Sequence, residues 1–220
     1  MAEMGVYEAM RTLRAVRKLR PDPIPDAVLH RVLEAATWAP TGGNRQPWRI
    51  IAVKDREKKA RLGAWYAEVW GAFSKMYRTG LPPDMTDDAR KRMMRTLDAG
   101  DYLANHFGES PVIAIFCFNP KDMAITDAKL SRPSVVGGGS VYPSVENLLL
   151  ACRVEGLGCV LTTLLCQVEP QVKELLAIPE GWGTAAAIPI GYPVGRGHGP
   201  LIRRPFRELA YADSWGNRIA

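Results

Sequence analysis

Leu29, Val32, Leu33 and Ala36 recur at i, i+3, i+4 and i+7, the spacing of one apolar helical face, with Asp26 as the expected N-cap and Pro40 as the stop. Before it, residues 4–15 are helix-compatible and run into a basic cluster of Arg11, Arg14, Arg17, Lys18 and Arg20. Pro21, Pro23 and Pro25 then impose an extended linker. After the Gly42-Gly43 loop, Trp48 to Val53 reads as a strand, and the charged stretch Lys54 to Arg61 opens another helix. Leu81-Pro82-Pro83 breaks that helix, and residues 87–107 are helical again. Residues 111–118, PVIAIFCF, form a near-continuous apolar run with β-branched members, the mark of a central strand buried on both faces. Polar residues 119–139 form a loop ending in Gly137, Gly138 and Gly139. A helix over 141–154 places Val145, Leu148, Leu149 and Cys152 on one face and ends at Gly156 and Gly158. Cys159 to Leu165 is expected as a strand, Pro170 opens a short helix ending near Ala177, and Thr184 to Tyr192 is the last core strand. The tail, 193–220, carries no core pattern. Strands separated by helices indicate an α+β or mixed α/β domain.

A chain of 220 residues with 47% hydrophobic content can bury one sizeable core, so a single domain over 1–220 is expected. The net charge of +6 suits a phosphate, a nucleic acid or an acidic cofactor without choosing between them. No nucleic-acid motif or aromatic–basic alternation accompanies it, so no nucleic-acid partner is expected. Cys117, Cys152, Cys159 and Cys166 show no CxxC spacing and no histidine at zinc-finger distance, so they are expected as buried thiols with no metal. The basic amino terminus lacks an apolar signal region, and no apolar run reaches the ~20 residues of a membrane span, so the expectation is a cytoplasmic protein with no membrane partner.

Four stretches can carry chemistry. Arg14-Ala15-Val16-Arg17 sets two guanidinium groups three residues apart, and on a helical turn they can close on one phosphate; a solvated basic face is the plainer reading. In the run Pro40 to Trp48, two prolines bracket Gly42 and Gly43, which let backbone approach a ligand, while Asn44 and Gln46 offer both donors and acceptors. Thr162-Thr163 ends an apolar run, a common place for ligand contacts and an ordinary place for threonine. Arg203-Arg204 adds positive charge to the tail. Gly137-Gly138-Gly139-Ser140 lacks GxGxxG spacing and any GK[ST], so it reads as a flexible lead-in. His30, His106 and His198 sit in unrelated contexts, and neither GxSxG nor HExxH occurs. A chain without a side-chain catalyst is one in which a cofactor can do the hard chemistry.

In order and spacing, three stretches resemble the FMN-dependent nitroreductase family over about residues 8–215. They are LRAVRKLRPDPIP at 13–25, AATWAPTGGNRQPWRIIAV at 35–53, and SVYPSVENLLLACRVEGLGCVLTT at 140–163 followed by IPEGWGTAAAIPIGYP at 178–193. The resemblance implies an α+β, three-layer sandwich: a mostly antiparallel sheet flanked by helices, in a domain-exchanged homodimer with FMN at the interface. It assigns the phosphate to Arg14 and Arg17, with backbone from Ala15 and Val16, and to Arg203, with Arg204 beside it. Thr162, Thr163 and Leu164 match the segment beside the isoalloxazine. Pro40, Thr41 and Asn44 match contacts supplied by the partner subunit, with Gln46 shaping their loop. Three positions depart from the family pattern: Leu13 and Ala15 stand where an arginine and a serine are usual, and Ile202 where another basic residue is common.

The activity implied is a ping-pong transfer of hydride from NADH or NADPH to a small conjugated acceptor such as a nitroaromatic or a quinone. A non-catalytic flavin-binding protein and a specialised reductive dehalogenase or dehydrogenase are the alternatives. Trp65, Val69, Phe73 and Tyr77 form one stripe of a helix, and Trp70 lies near it. Such stripes are usually core; the functional expectation is that residues 65–107 form substrate-pocket or lid helices, with Trp65, Trp70, Phe73 and Tyr77 stacking on flat acceptors.

Overall fold

The computed structural model describes residues 4–219. Its sheet has four strands, β1 (Trp48–Val53), β2 (Val112–Phe118), β3 (Gly158–Cys159) and β4 (Gly183–Gly191), in the order β1-β2-β4-β3, and every pairing is antiparallel. Strand β2 organises the molecule, because its side chains alternate between two separate apolar clusters. Val112, Ala114 and Phe116 face one layer, formed by α2 (Asp26–Thr37) and α5 (Tyr142–Val154) through Leu29, Val32, Ala36, Val145, Leu148 and Cys152. Ile113, Ile115 and Cys117 face the other, where α3 (Arg56–Thr79), α4 (Asp87–His106) and α6 (Glu169–Leu176) contribute Leu62, Tyr66, Leu103 and Val172. These six residues of β2 are all buried, so the uninterrupted apolar run is explained: both faces of the strand are covered. The result is the three-layer α+β sandwich with an antiparallel sheet.

Helix α1 (Val6–Thr12) stops earlier than the sequence pattern allows. Leu13 is already extended, and the following residues are drawn along the sheet edge instead. Val16 N–H donates to the Cys159 carbonyl at 2.9 Å, Arg20 N–H to Tyr192 at 2.7 Å, and Val194 N–H to Lys18 at 2.9 Å. Arg14 and Arg17 therefore sit on extended chain, not on the helical turn expected for them. Tertiary pairing outweighs the weak propensity of a short terminal helix.

Two other expectations change. Asp26 is the first residue of α2 rather than its cap; Pro25 holds the cap position, and the Asp26 carboxylate pairs with Lys54. Of the strand expected from Cys159 to Leu165 only Cys159, with Gly158 before it, keeps ladder pairing, and one further bridge forms at Thr162↔Ala187. That register puts Val160 opposite Pro189, which has no N–H to give, so the ladder lapses there. A 3₁₀ turn over Leu164–Val168 follows. The last segment, after Pro193, carries one short 3₁₀ turn at Phe206–Glu208 and leaves Trp215 91% exposed.

Candidate functional site

Extended backbone brings three of the predicted arginines to one place. Arg14, Ala15 and Arg17 line a cavity of about 300 Å³ together with Leu149 and Glu146 of α5, Val160 and Leu161 beyond β3, and Arg203 from the tail. The walls are thus three cations, one carboxylate and an apolar floor. Arg203 crosses almost the whole chain length to reach Arg14, which sequence spacing alone could not show. Val16 points away into the core, so its part in the site is confined to backbone. Arg204 is exposed and does not line the cavity.

Arg17 is half-buried and makes no ion pair among the described residues. Burial presses its pKa downward, and the facing Tyr66 phenol works against that shift. Tyr66 is buried, stacked on Phe107 at 4.2 Å, and its pKa is raised by burial against the opposing pull of Thr162 and Arg17. Thr162 is fixed on the other side by two backbone bonds to Ala187, at 3.0 and 2.8 Å. The result is a packed connection from α3 to Thr162 and Arg17. Tyr66 falls within the 65–107 stretch expected as pocket or lid helices, but its link to Arg17 needed the fold. Thr163 is exposed and opens on a different, mostly apolar cavity of about 580 Å³ beside Tyr142, Cys166 and Thr184. Leu164 packs into the α3-side core.

The proline-bounded loop is shaped by its own polar groups. Gln46 N–H donates to the Thr41 hydroxyl at 3.0 Å, and Gln46 Nε2 donates to the Asn44 carbonyl and Oδ1 at 3.2 and 3.1 Å. Gly42 N–H reaches Ser140 Oγ at 3.2 Å. Gly43, Asn44 and Gln46 all have φ between 49° and 59°, and for two non-glycine residues this stores strain of roughly 1–3 kcal/mol each. Such strain held in place by side-chain bonds is typical of ligand loops. Pro40, Thr41, Asn44 and Gln46 do not line the arginine cavity of their own chain.

The ring stripe divides. Trp70 is pinned to α4: its Nε1–H donates to Asp101 Oδ1 at 2.7 Å, and the indole lies on Gly100, where a Cβ would come within 2.1 Å of Cζ2. Trp65 is half-buried under Arg61. Phe73 stacks at a tilt on both Trp70 and Tyr77, at 5.6 and 4.6 Å, and Tyr77 is exposed. Trp70 therefore has a packing role of its own, while Phe73 and Tyr77 present ring area outward. Among the described residues no group of His, Cys, Asp and Glu could hold a metal, and no helix is long and apolar enough to cross a membrane.

A sequence model of the nitroreductase family matches residues 10–192. A 5,6-dimethylbenzimidazole synthase of Rhodospirillum rubrum is 30% identical over 86% of this chain and 82% of its own length. A putative NAD(P)H nitroreductase of Bacillus subtilis is 27% identical over 84% and 83%. Among solved structures, an iodotyrosine deiodinase bound to FMN and 3-iodo-L-tyrosine superposes with a TM-score of 0.68 at 21% identity, covering 96% of this chain and 99% of that one. NfrA2 of Bacillus megaterium gives 0.67 at 20% identity, covering 97% and 76%.

Proposed function

The chain belongs to the nitroreductase family, and from that premise we propose that it holds FMN and passes hydride from NADH or NADPH to a small conjugated acceptor. The observation that carries this reading is the meeting of Arg14, Arg17 and Arg203 on one cavity with an apolar floor. Arg17, half-buried without a carboxylate partner, is a charge in want of an anion, and a phosphate or an electron-rich ring edge supplies one. The donor set fits a flavin mononucleotide: forked cations for the phosphate, and Leu149, Val160 and Leu161 for apolar surface.

In this reading Arg14 and Arg203 neutralise the phosphate, and Ala15 and Val16 supply backbone. Arg17, immobilised against Tyr66, supplies positive charge that needs no reorganisation during the reaction. Bound FMN supplies the two-electron carrier that a chain without a side-chain redox group needs. The nicotinamide loses a hydride, and the acceptor gains that hydride together with a proton from solvent. No side chain is assigned as general acid. Pro40, Thr41 and Asn44, on the loop braced by Gln46, reach the FMN held by a second copy in a homodimer. Phe73 and Tyr77 offer ring surface to flat acceptors, and Trp65 and Trp70 support them.

The test is spectroscopic. Purified protein supplied with FMN should be yellow, and anaerobic NADH or NADPH should bleach it. Acceptors added one at a time, from nitroaromatics and quinones to iodinated phenols, should restore the colour at different rates. The iodinated phenols are included because relatives named iodotyrosine deiodinase share 26% identity. A colourless protein that refuses FMN ends the reading.

A further inference from the structure

A second and larger cavity, about 840 Å³, adjoins the first and shares Leu201 and Arg203 with it. Its other charged walls are Arg11, Arg153 and Arg196, set against the single carboxylate of Glu8. Arg11 and Arg196 make no ion pair among the described residues. Arg153 spends one donor on Thr12 Oγ1 at 2.9 Å. Gly199 lies between two guanidinium groups: a Cβ placed on it would be 3.8 Å from Arg14 Nη1 and 3.9 Å from Arg196 Nε. Like charges gathered this closely repel one another unless an anion joins them.

His198, 7% exposed, lines the same cavity. Its Nε2–H donates to the Leu157 carbonyl at 2.8 Å, which fixes the tautomer, and its Nδ1 is buried with no partner. Burial, with the charges of Arg153 and Arg14, lowers its pKa against the opposing pull of the Leu157 carbonyl, and so favours the neutral ring. A bare Nδ1 only accepts, so the site combines donors for anionic oxygens with one acceptor for a ligand hydrogen. Sulfate and carboxylate carry no such hydrogen near neutral pH, whereas a phosphoryl group, whose second pKa is near 6 to 7, does.

We propose that this cavity is a phosphoryl-binding site separate from the flavin cavity, taking a monoprotonated phosphate group either free or carried on a nucleotide. Arg11, Arg153 and Arg196 bind its charged oxygens and His198 Nδ1 accepts its P–O–H. Arg203, in the shared wall, serves both cavities.

The test is calorimetric titration of the FMN-loaded protein near pH 6.5 with inorganic phosphate, sulfate and adenosine 5′-monophosphate in separate arms. Phosphate should bind saturably, once per chain, and about tenfold or more tighter than sulfate. Tighter binding of the nucleotide would assign the carried form, and equal or weaker binding the free ion. Arg196→Gln should weaken phosphate about tenfold or more while the FMN dissociation constant stays within about twofold. Arg11→Gln repeats the measurement if the first variant folds poorly. The proposal falls if phosphate and sulfate bind alike, or if both variants leave phosphate binding unchanged. It falls also if Arg196→Gln weakens FMN and phosphate in step, because the cavity would then belong to the flavin. A protein that refuses FMN but still binds phosphate selectively would sink only the flavin reading.

Discussion

Gly158 lies flat against Val16: a Cβ on the glycine would stand 2.6 Å from Val16 Cγ1 and 2.9 Å from Leu19 Cδ2. This close approach lets the Val16 amide reach Cys159 and so lays Arg14 and Arg17 along the sheet edge. Gly158→Ala should therefore act on the site as well as on stability. We expect a loss of about 1–3 kcal/mol in urea unfolding from overpacking. We also expect weaker FMN binding in the protein that remains folded. A variant with normal stability and normal FMN affinity would contradict the link.

Arg17→Gln removes a half-buried cation and should raise the FMN dissociation constant roughly 10- to 100-fold, from the 1.5–3 kcal/mol typical of a hydrogen bond to a charged group. Arg14→Gln and Arg203→Gln should do the same. Arg204→Gln, at a position outside the cavity, should change it less than about threefold. Quenching of free FMN fluorescence on titration distinguishes these outcomes.

Trp70 and Tyr77 should separate stability from specificity. Trp70→Ala opens the seam between α3 and α4 and leaves Asp101 with Arg78 alone as its partner, for an expected cost of about 3 kcal/mol. Tyr77→Ala, at an exposed ring, should cost under about 0.5 kcal/mol yet shift the ratio of turnover between nitroaromatic and quinone acceptors. Chemical unfolding beside steady-state rates with both acceptors decides. If Trp70→Ala keeps full stability while acceptor preference moves, Trp70 belongs to the pocket instead.

Thr41→Val deletes the hydroxyl that accepts from Gln46 N–H and should release the strained loop. The expected change is about 1 kcal/mol in stability and a severalfold faster loss of FMN on dilution. Thr41→Ser restores the acceptor and should restore both values. Equal behaviour of the valine and serine variants would mean the loop does not depend on this bond.

His198 sets a pH dependence with a definite sign. Its folded pKa lies below the ordinary 6.5, so in mild acid the unfolded chain takes up a proton that the folded chain refuses. This contribution is whole above about pH 6.5 and declines as pH falls through and below that value. Glu155 and Asp127, held below their ordinary 4.5 and 3.8 by bonds led by Arg31 and Ser134, lose theirs only in stronger acid. Urea midpoints should drop between pH 7.5 and 5.5, and His198→Asn should flatten that drop. An unchanged slope in the variant would rule the histidine out.

The elements were legible in the sequence wherever burial repeats with a fixed period. The 111–118 run became β2, and the 26–37 and 141–154 faces became the helices that cover one side of it. The site was legible as residue types in order but not as geometry. Arg14 and Arg17 were placed on a helix because local spacing carries no record of the Cys159 carbonyl that pulls Val16 into extension. Pro189, thirty residues beyond Cys159, ends the ladder at Val160 without leaving any mark on the 159–165 pattern itself. His198 lies in a tail without a core pattern, in a context unrelated to the other histidines, and its burial against Leu157 appears only when the tail folds back.

Because β2 supplies a wall to each of two otherwise separate apolar clusters, neither half can loosen while the other stays intact. Its central amides should be among the last in the molecule to exchange with deuterium, opening only with the whole protein. A polar substitution at Ala114 or Ile115 should therefore lower protection in α5 and α3 together, although those helices lie on opposite faces of the sheet.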